Sequence, residues 1–144
     1  MYRLNARAIL LAVAVLATGA CSNDAISSLT TPTNPTIFTD TFTGTLSQNG
    51  SFTHSFTTAS LGAVSASIVN LQPTSSQIVG LSLGVWNGTS CSTSPATGGS
   101  SSDIATSGSS ITLNATAAGS LCVRLYDVGF ITSPVLYTLQ VTHP

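Results

Sequence analysis

The sequence predicts an all-β protein: a single antiparallel β-sandwich, jelly-roll-like, of about seven or eight strands, following a cleaved targeting segment. Three observations lead there. From Ile37 onward apolar side chains recur at every second position, the period of a half-buried strand. Gly, Asn, Ser and Pro break that pattern about every 8–12 residues, as short strands folding back on one another require. Beyond residue 20 no apolar stripe has the helical period. Composition agrees. Only 5% of the 144 residues are charged, against about a quarter in ordinary soluble domains, while Ser and Thr fill about 45 positions. Threonine suits the pleated surface of a strand, so the outward faces are polar through hydroxyls instead of charges.

Residues 1–20 read as a signal peptide. Arg3 and Arg7 give a positive start and Ala8 to Ala17 an unbroken apolar run, which is well short of the roughly 20 residues that span a bilayer. Thr18, Gly19 and Ala20 stand directly before Cys21. This resembles a bacterial lipoprotein lipobox, in which the cysteine is lipidated and becomes the mature N-terminus, although Thr18 replaces the usual Leu, Val or Ile. The resemblance implies a cell-envelope protein whose membrane partner is reached through a lipid on Cys21. Ordinary cleavage after Ala20 would give a secreted protein instead. Ser22, and not Asp, follows the cysteine, which in a Gram-negative host implies the outer membrane.

The cysteine count is odd, at three. In an exported protein an odd thiol needs an explanation. Assigning Cys21 to a lipid leaves Cys91 and Cys122 as a disulfide pair, which an oxidising compartment permits; two buried free thiols are the alternative. No His lies at ligand spacing from either cysteine, so a metal site there is disfavoured.

Residues 21–36 read as a Ser/Thr/Pro-rich tether with no hydrophobic period. The domain proper is 37–144. Phe38, Phe42 and Leu46 share one parity and Thr39, Thr41, Thr43 and Thr45 the other, followed by the turn Ser47-Gln48-Asn49-Gly50. Phe52, His54 and Phe56 make the next inward set, then Val64, Ala66 and Ile68, then Leu81, Leu83 and Val85, ending at Asn87-Gly88. The segment after Cys91, SPATGGSSSD, reads as a low-complexity loop. Ile111, Leu113 and Ala115 mark a further strand, and Leu121–Val128 and Val135–Thr142 the last two.

Gly44 to Leu71, Ile78 to Gly88, Gly119 to Val128 and Val135 to Val141 (GTLSQNGSFTHSFTTASLGAVSASIVNL, IVGLSLGVWNG, GSLCVRLYDV, VLYTLQV) together resemble the bacterial pre-peptidase C-terminal domain, a β-sandwich appended to secreted peptidases and found in other exported proteins. The resemblance implies the fold and an accessory role. Some members bind calcium through acidic residues near the fourth strand, where this chain has Ser82 and Gly84. No peptidase segment lies within the 144 residues, so proteolysis is not implied.

Few side chains here can do chemistry. Beyond the signal segment Arg124 is the sole Lys or Arg, against four Asp, which disfavours nucleic acid as a partner. Gly80-Leu81-Ser82-Leu83-Gly84 matches G-x-S-x-G, with Asp103 or Asp127 and then His143 in hydrolase order. That motif needs a strand-to-helix turn in a parallel sheet, and these residues lie in an alternating strand. A serine hydrolase through Ser82 is therefore the remote alternative, and His143, next to the chain end, is expected to be mobile. His54 is expected to be half-buried and bonded to backbone, and Arg124 to pair with Asp127 or another Asp. No cofactor and no metal are expected.

The function expected is a non-catalytic, lipid-anchored envelope protein with an accessory interaction or structural module. The alternative is a carbohydrate- or matrix-binding domain using Trp86 with Tyr126 or Phe130, aromatic residues near loop tips. Partners would then be an envelope protein or a glycan.

Overall fold

Alternation along the strands sends Leu46, Val64, Ala66, Ile68, Leu81, Leu83, Val123, Leu125, Leu139 and Val141 into one interior, where each is fully buried. Burying a side chain of this size stabilises by about 1.5–3 kcal/mol, so the parity of each strand fixes which face turns inward. The computed structural model describes residues 34–144. The expectations for the signal segment, for Cys21 and for most of the tether lie outside the described residues.

Nine strands form: β1 (Phe38–Leu46), β2 (Ser51–Thr58), β3 (Gly62–Gln72), β4 (Val79–Trp86), β5 (Cys91–Ser92), β6 (Ser100–Ala105), β7 (Ser110–Ala115), β8 (Gly119–Tyr126) and β9 (Val135–His143). One sheet has the order β1-β9-β3-β7; the other has β2-β8-β4, with both β5 and β6 on the far side of β4. Every pairing is antiparallel. Apart from the β4–β5–β6 stretch, successive strands alternate between the sheets, which is the double-sheet jelly-roll arrangement. The all-β sandwich is as expected, with one or two more strands.

Three departures from the sequence reading have clear causes. The SPATGGSSSD segment is not a loop throughout: Pro95–Thr97 is a short 3-10 turn and Ser100–Ala105 is strand β6. That strand lacks an apolar alternation because it runs along the edge of β4, exposing Ile104 and burying only Ala105. In β3 the register shifts between Ile68 and Asn70, so a bulge turns Val69 outward and the buried set passes from Val64, Ala66 and Ile68 to Leu71. Phe38, Phe52 and Val85 are 49%, 44% and 41% exposed, because each stands at or next to the end of its strand, where the opposite sheet no longer covers the inward parity.

The chain end, expected to be mobile, is packed against the domain. His143 and Pro144 are buried, and the Pro144 carbonyl accepts the Thr58 hydroxyl and the Ala59 N–H, each at 2.9 Å. His143 lies between Phe38 and Phe56, with Nε2 3.2 Å from Asp40 Oδ2.

Candidate functional site

The outer face of the β2-β8-β4 sheet is where the chemistry-bearing side chains gather. Leu81 and Leu83 point inward, so Gly80, Ser82, Gly84 and Trp86 of β4 face outward, beside Arg124 and Tyr126 of β8 and Ser51 and Thr53 of β2. Two coverings lie on this face. The Tyr126 ring occupies the space above Gly80, and the Ser92–Thr93 backbone occupies the space above Gly84; a Cβ at either glycine would collide with its cover. Ser82, between the two glycines and paired with Arg124 and Ser101, is consequently only 2% exposed.

That geometry explains G-x-S-x-G in packing terms. The glycines admit the ring and the backbone laid over them, and the serine has no turn to expose it. The would-be partners lie elsewhere. Asp103 accepts the Tyr126 hydroxyl, Asp127 accepts the N–H groups of Asn49, Gly129, Phe130 and Ile131, and His143 faces inward from the opposite sheet.

Cys91 and Cys122 form a disulfide, Cα to Cα 5.8 Å. It ties β5 onto the outer face next to Trp86, whose backbone pairs with Cys91. Between them, Asn87 organises the turn: its Oδ1 accepts the Thr89 and Ser90 N–H groups at 3.0 and 2.8 Å, and its Nδ2 donates to Ser90 Oγ. Ser51, Thr53, Trp86, Thr89, Ser90, Cys91 and Arg124 line a shallow pocket of about 290 Å³. On its other side Trp86 borders a wider cleft of about 620 Å³, reaching Ala96, the β7–β8 loop at residues 116–118 and the start of β8 at Gly119.

Arg124 is not paired with Asp127, whose carboxylate is committed to the loop N–H groups. Desolvation pushes the Asp127 pKa up, but those four donors outweigh it and hold the carboxyl below its ordinary value. Among the described residues Arg124 makes no ion pair; its guanidinium sits 5.3 Å from the centre of the Tyr126 ring. Burial, then the hydrogen bond and the charge of Asp103, push the Tyr126 phenol up to about 12, against a smaller opposing effect from Arg124.

The aromatic residues singled out in the sequence are not one cluster. Tyr126 pairs with Gly80, six positions from Trp86 along β4, a rise of about 20 Å. Phe130, in the β8–β9 loop, is 59% exposed, whereas its neighbour Ile131 is buried in the core. Arg124 joins the two ends, touching Tyr126 and sharing a pocket with Trp86. The hydroxyls of Thr89 and Ser90 had no signal in the sequence beyond the turn-forming Asn87-Gly88.

His54 is half-buried, as expected, but its partner is a side chain. Nε2 and the Tyr137 hydroxyl share a hydrogen bond of 2.9 Å, and the imidazole stacks on Phe42 at 4.7 Å. Burial lowers its pKa and raises that of Tyr137. Among the described residues no three His, Cys, Asp or Glu side chains gather as metal ligands. A scan against protein-family models and a search of curated proteins return no match to the chain.

Proposed function

We propose that this chain is a non-catalytic, lipid-anchored cell-envelope protein whose jelly-roll sandwich serves as an accessory interaction or structural module. The observation that carries the reading is the cysteine pairing. The Cys91–Cys122 disulfide accounts for two of the three cysteines, and the third, Cys21, is the residue that follows Thr18-Gly19-Ala20 in the lipobox-like segment. The accessory role also draws on the resemblance to the pre-peptidase C-terminal domain. Burial of Ser82 under Tyr126 and the β5 backbone supports the non-catalytic reading. Substituting Cys21→Ala should move the protein from the membrane fraction to the soluble fraction and abolish incorporation of labelled palmitate. A parent protein that takes up no label and a variant equally membrane-bound would remove the anchor.

One observation favours the second reading, a carbohydrate- or matrix-binding domain: Trp86 walls two pockets, one of them rich in hydroxyls. A glycan and matrix-protein array probed with the parent and with Trp86→Ala tests it. Binding lost in the variant supports the reading, and binding to nothing on the array leaves the structural role.

A further inference from the structure

We infer that the pocket between Trp86 and Arg124 takes a sugar acid, a hexuronate residue of an extracellular or envelope polysaccharide. The inference rests on the carbohydrate reading above and is independent of the lipid anchor.

Charge selects the ligand. Arg124 is the sole Lys or Arg beyond the signal segment, and the aspartates of the described residues are all engaged elsewhere: Asp40 by His143, Asp103 by Tyr126, Asp127 by backbone N–H groups. Among the described residues no carboxylate lies within 4.0 Å of the guanidinium. Stacking on Tyr126 steadies that group, and a guanidinium offers a planar fork that matches one carboxylate through two parallel hydrogen bonds. A single cation on a faintly acidic protein suits one carboxylate and is a poor match for polyphosphate.

The remaining walls suit a sugar. Ser51 and Thr53 bring neutral hydroxyls that both donate and accept, the Thr89 hydroxyl, which donates to Asn87 Oδ1, can still accept, and the Ser90 hydroxyl, which accepts from Asn87 Nδ2, can still donate; the indole of Trp86 offers an apolar plane for the C–H face of a pyranose. The pocket has room for one ring, leaving the rest of a polymer outside. It is also rigid: the disulfide, the Trp86–Cys91 pairing and the Asn87 turn hold three of its walls before any ligand arrives, which reduces the ordering cost of binding.

Calorimetric titration of the purified protein with galacturonic acid oligomers, and with the same oligomers after reduction of their carboxylates to primary alcohols, tests the inference. Reduction should weaken binding about tenfold or more, as loss of a charge-assisted pair does. Arg124→Gln should erase the difference between the two oligomers, Arg124→Lys should restore part of it, and Trp86→Ala should weaken both; parallel melting curves establish that the variants are folded. Equal binding of the acid and neutral oligomers would overturn the acid assignment and leave the carbohydrate reading standing. Binding of neither would overturn both, and an acid preference intact in Arg124→Gln would overturn the assignment to this pocket.

Discussion

The Tyr126 ring fills the space that a side chain at Gly80 would need, while its hydroxyl is donated across β4 to Asp103 of β6. Gly84, two residues along the same face from Ser82, is covered in the same way by the Ser92–Thr93 backbone. The two covers differ in freedom. A phenol can swing away, but β5 is held by the disulfide. Gly80→Ala should cost about 1–2 kcal/mol and Gly84→Ala distinctly more, toward the upper end of the roughly 1–3 kcal/mol typical of overpacking. Urea denaturation of the two variants checks the ranking, and equal losses would contradict it.

The disulfide closes a loop of 31 residues. Chain entropy puts its contribution at about 3–4 kcal/mol, a large share of the roughly 5–15 kcal/mol that holds a domain together. Replacing Cys91 and Cys122 together by Ala should lower the denaturation midpoint accordingly, and should also free β5 and loosen the pocket beside Trp86. Hydrogen exchange at Thr89 to Thr93 would then rise. Unchanged stability in the double variant would refute the estimate.

Acid should weaken the fold through His54. Its folded pKa lies below the ordinary 6.5, so the unfolded chain binds the extra proton first, and stability present above about pH 6.5 is lost as pH falls towards the depressed value. Melting temperature should drop across that window, and the drop should be smaller in His54→Phe. A variant with the parent's full acid slope would show that a group other than His54 carries it.

Much of the architecture was legible because strands with one buried face write their parity into the sequence. Val64, Ala66 and Ile68, or Val135, Tyr137, Leu139 and Val141, can face only one way without exposing a core's worth of apolar surface. Elements without that constraint were illegible. Strand β6 is serine-rich and lies at the edge of β4, where backbone pairing is enough to place it. The bulge at Val69 adds one residue that no local composition marks. The candidate site was half legible. Trp86 and Arg124 stand out as singular residues, whereas the covers on either side of Ser82, the Tyr126 ring and the Ser92–Thr93 backbone, are brought there only by the fold.

The last two residues hold the ends of both sheets together. Deleting His143 and Pro144 removes the acceptor of Thr58 and Ala59 and opens the space beside Phe38 and Phe56. The Thr58 hydroxyl keeps the Ser60 carbonyl as acceptor, so each lost hydrogen bond costs about 0.5–1.5 kcal/mol; with the packing of His143 also gone, the truncated chain should melt several degrees lower. A melting temperature equal to the parent's would return the chain end to the mobile state first expected of it.

The sandwich is proposed to be held at a membrane through Cys21. Intact-mass spectrometry of the protein isolated from its native envelope tests it most directly. The expected species is a chain that begins at Cys21, carries covalent acyl groups on that residue, and retains the Cys91–Cys122 disulfide. A chain beginning at an unmodified Cys21, or one still bearing residues 1–20, would contradict it.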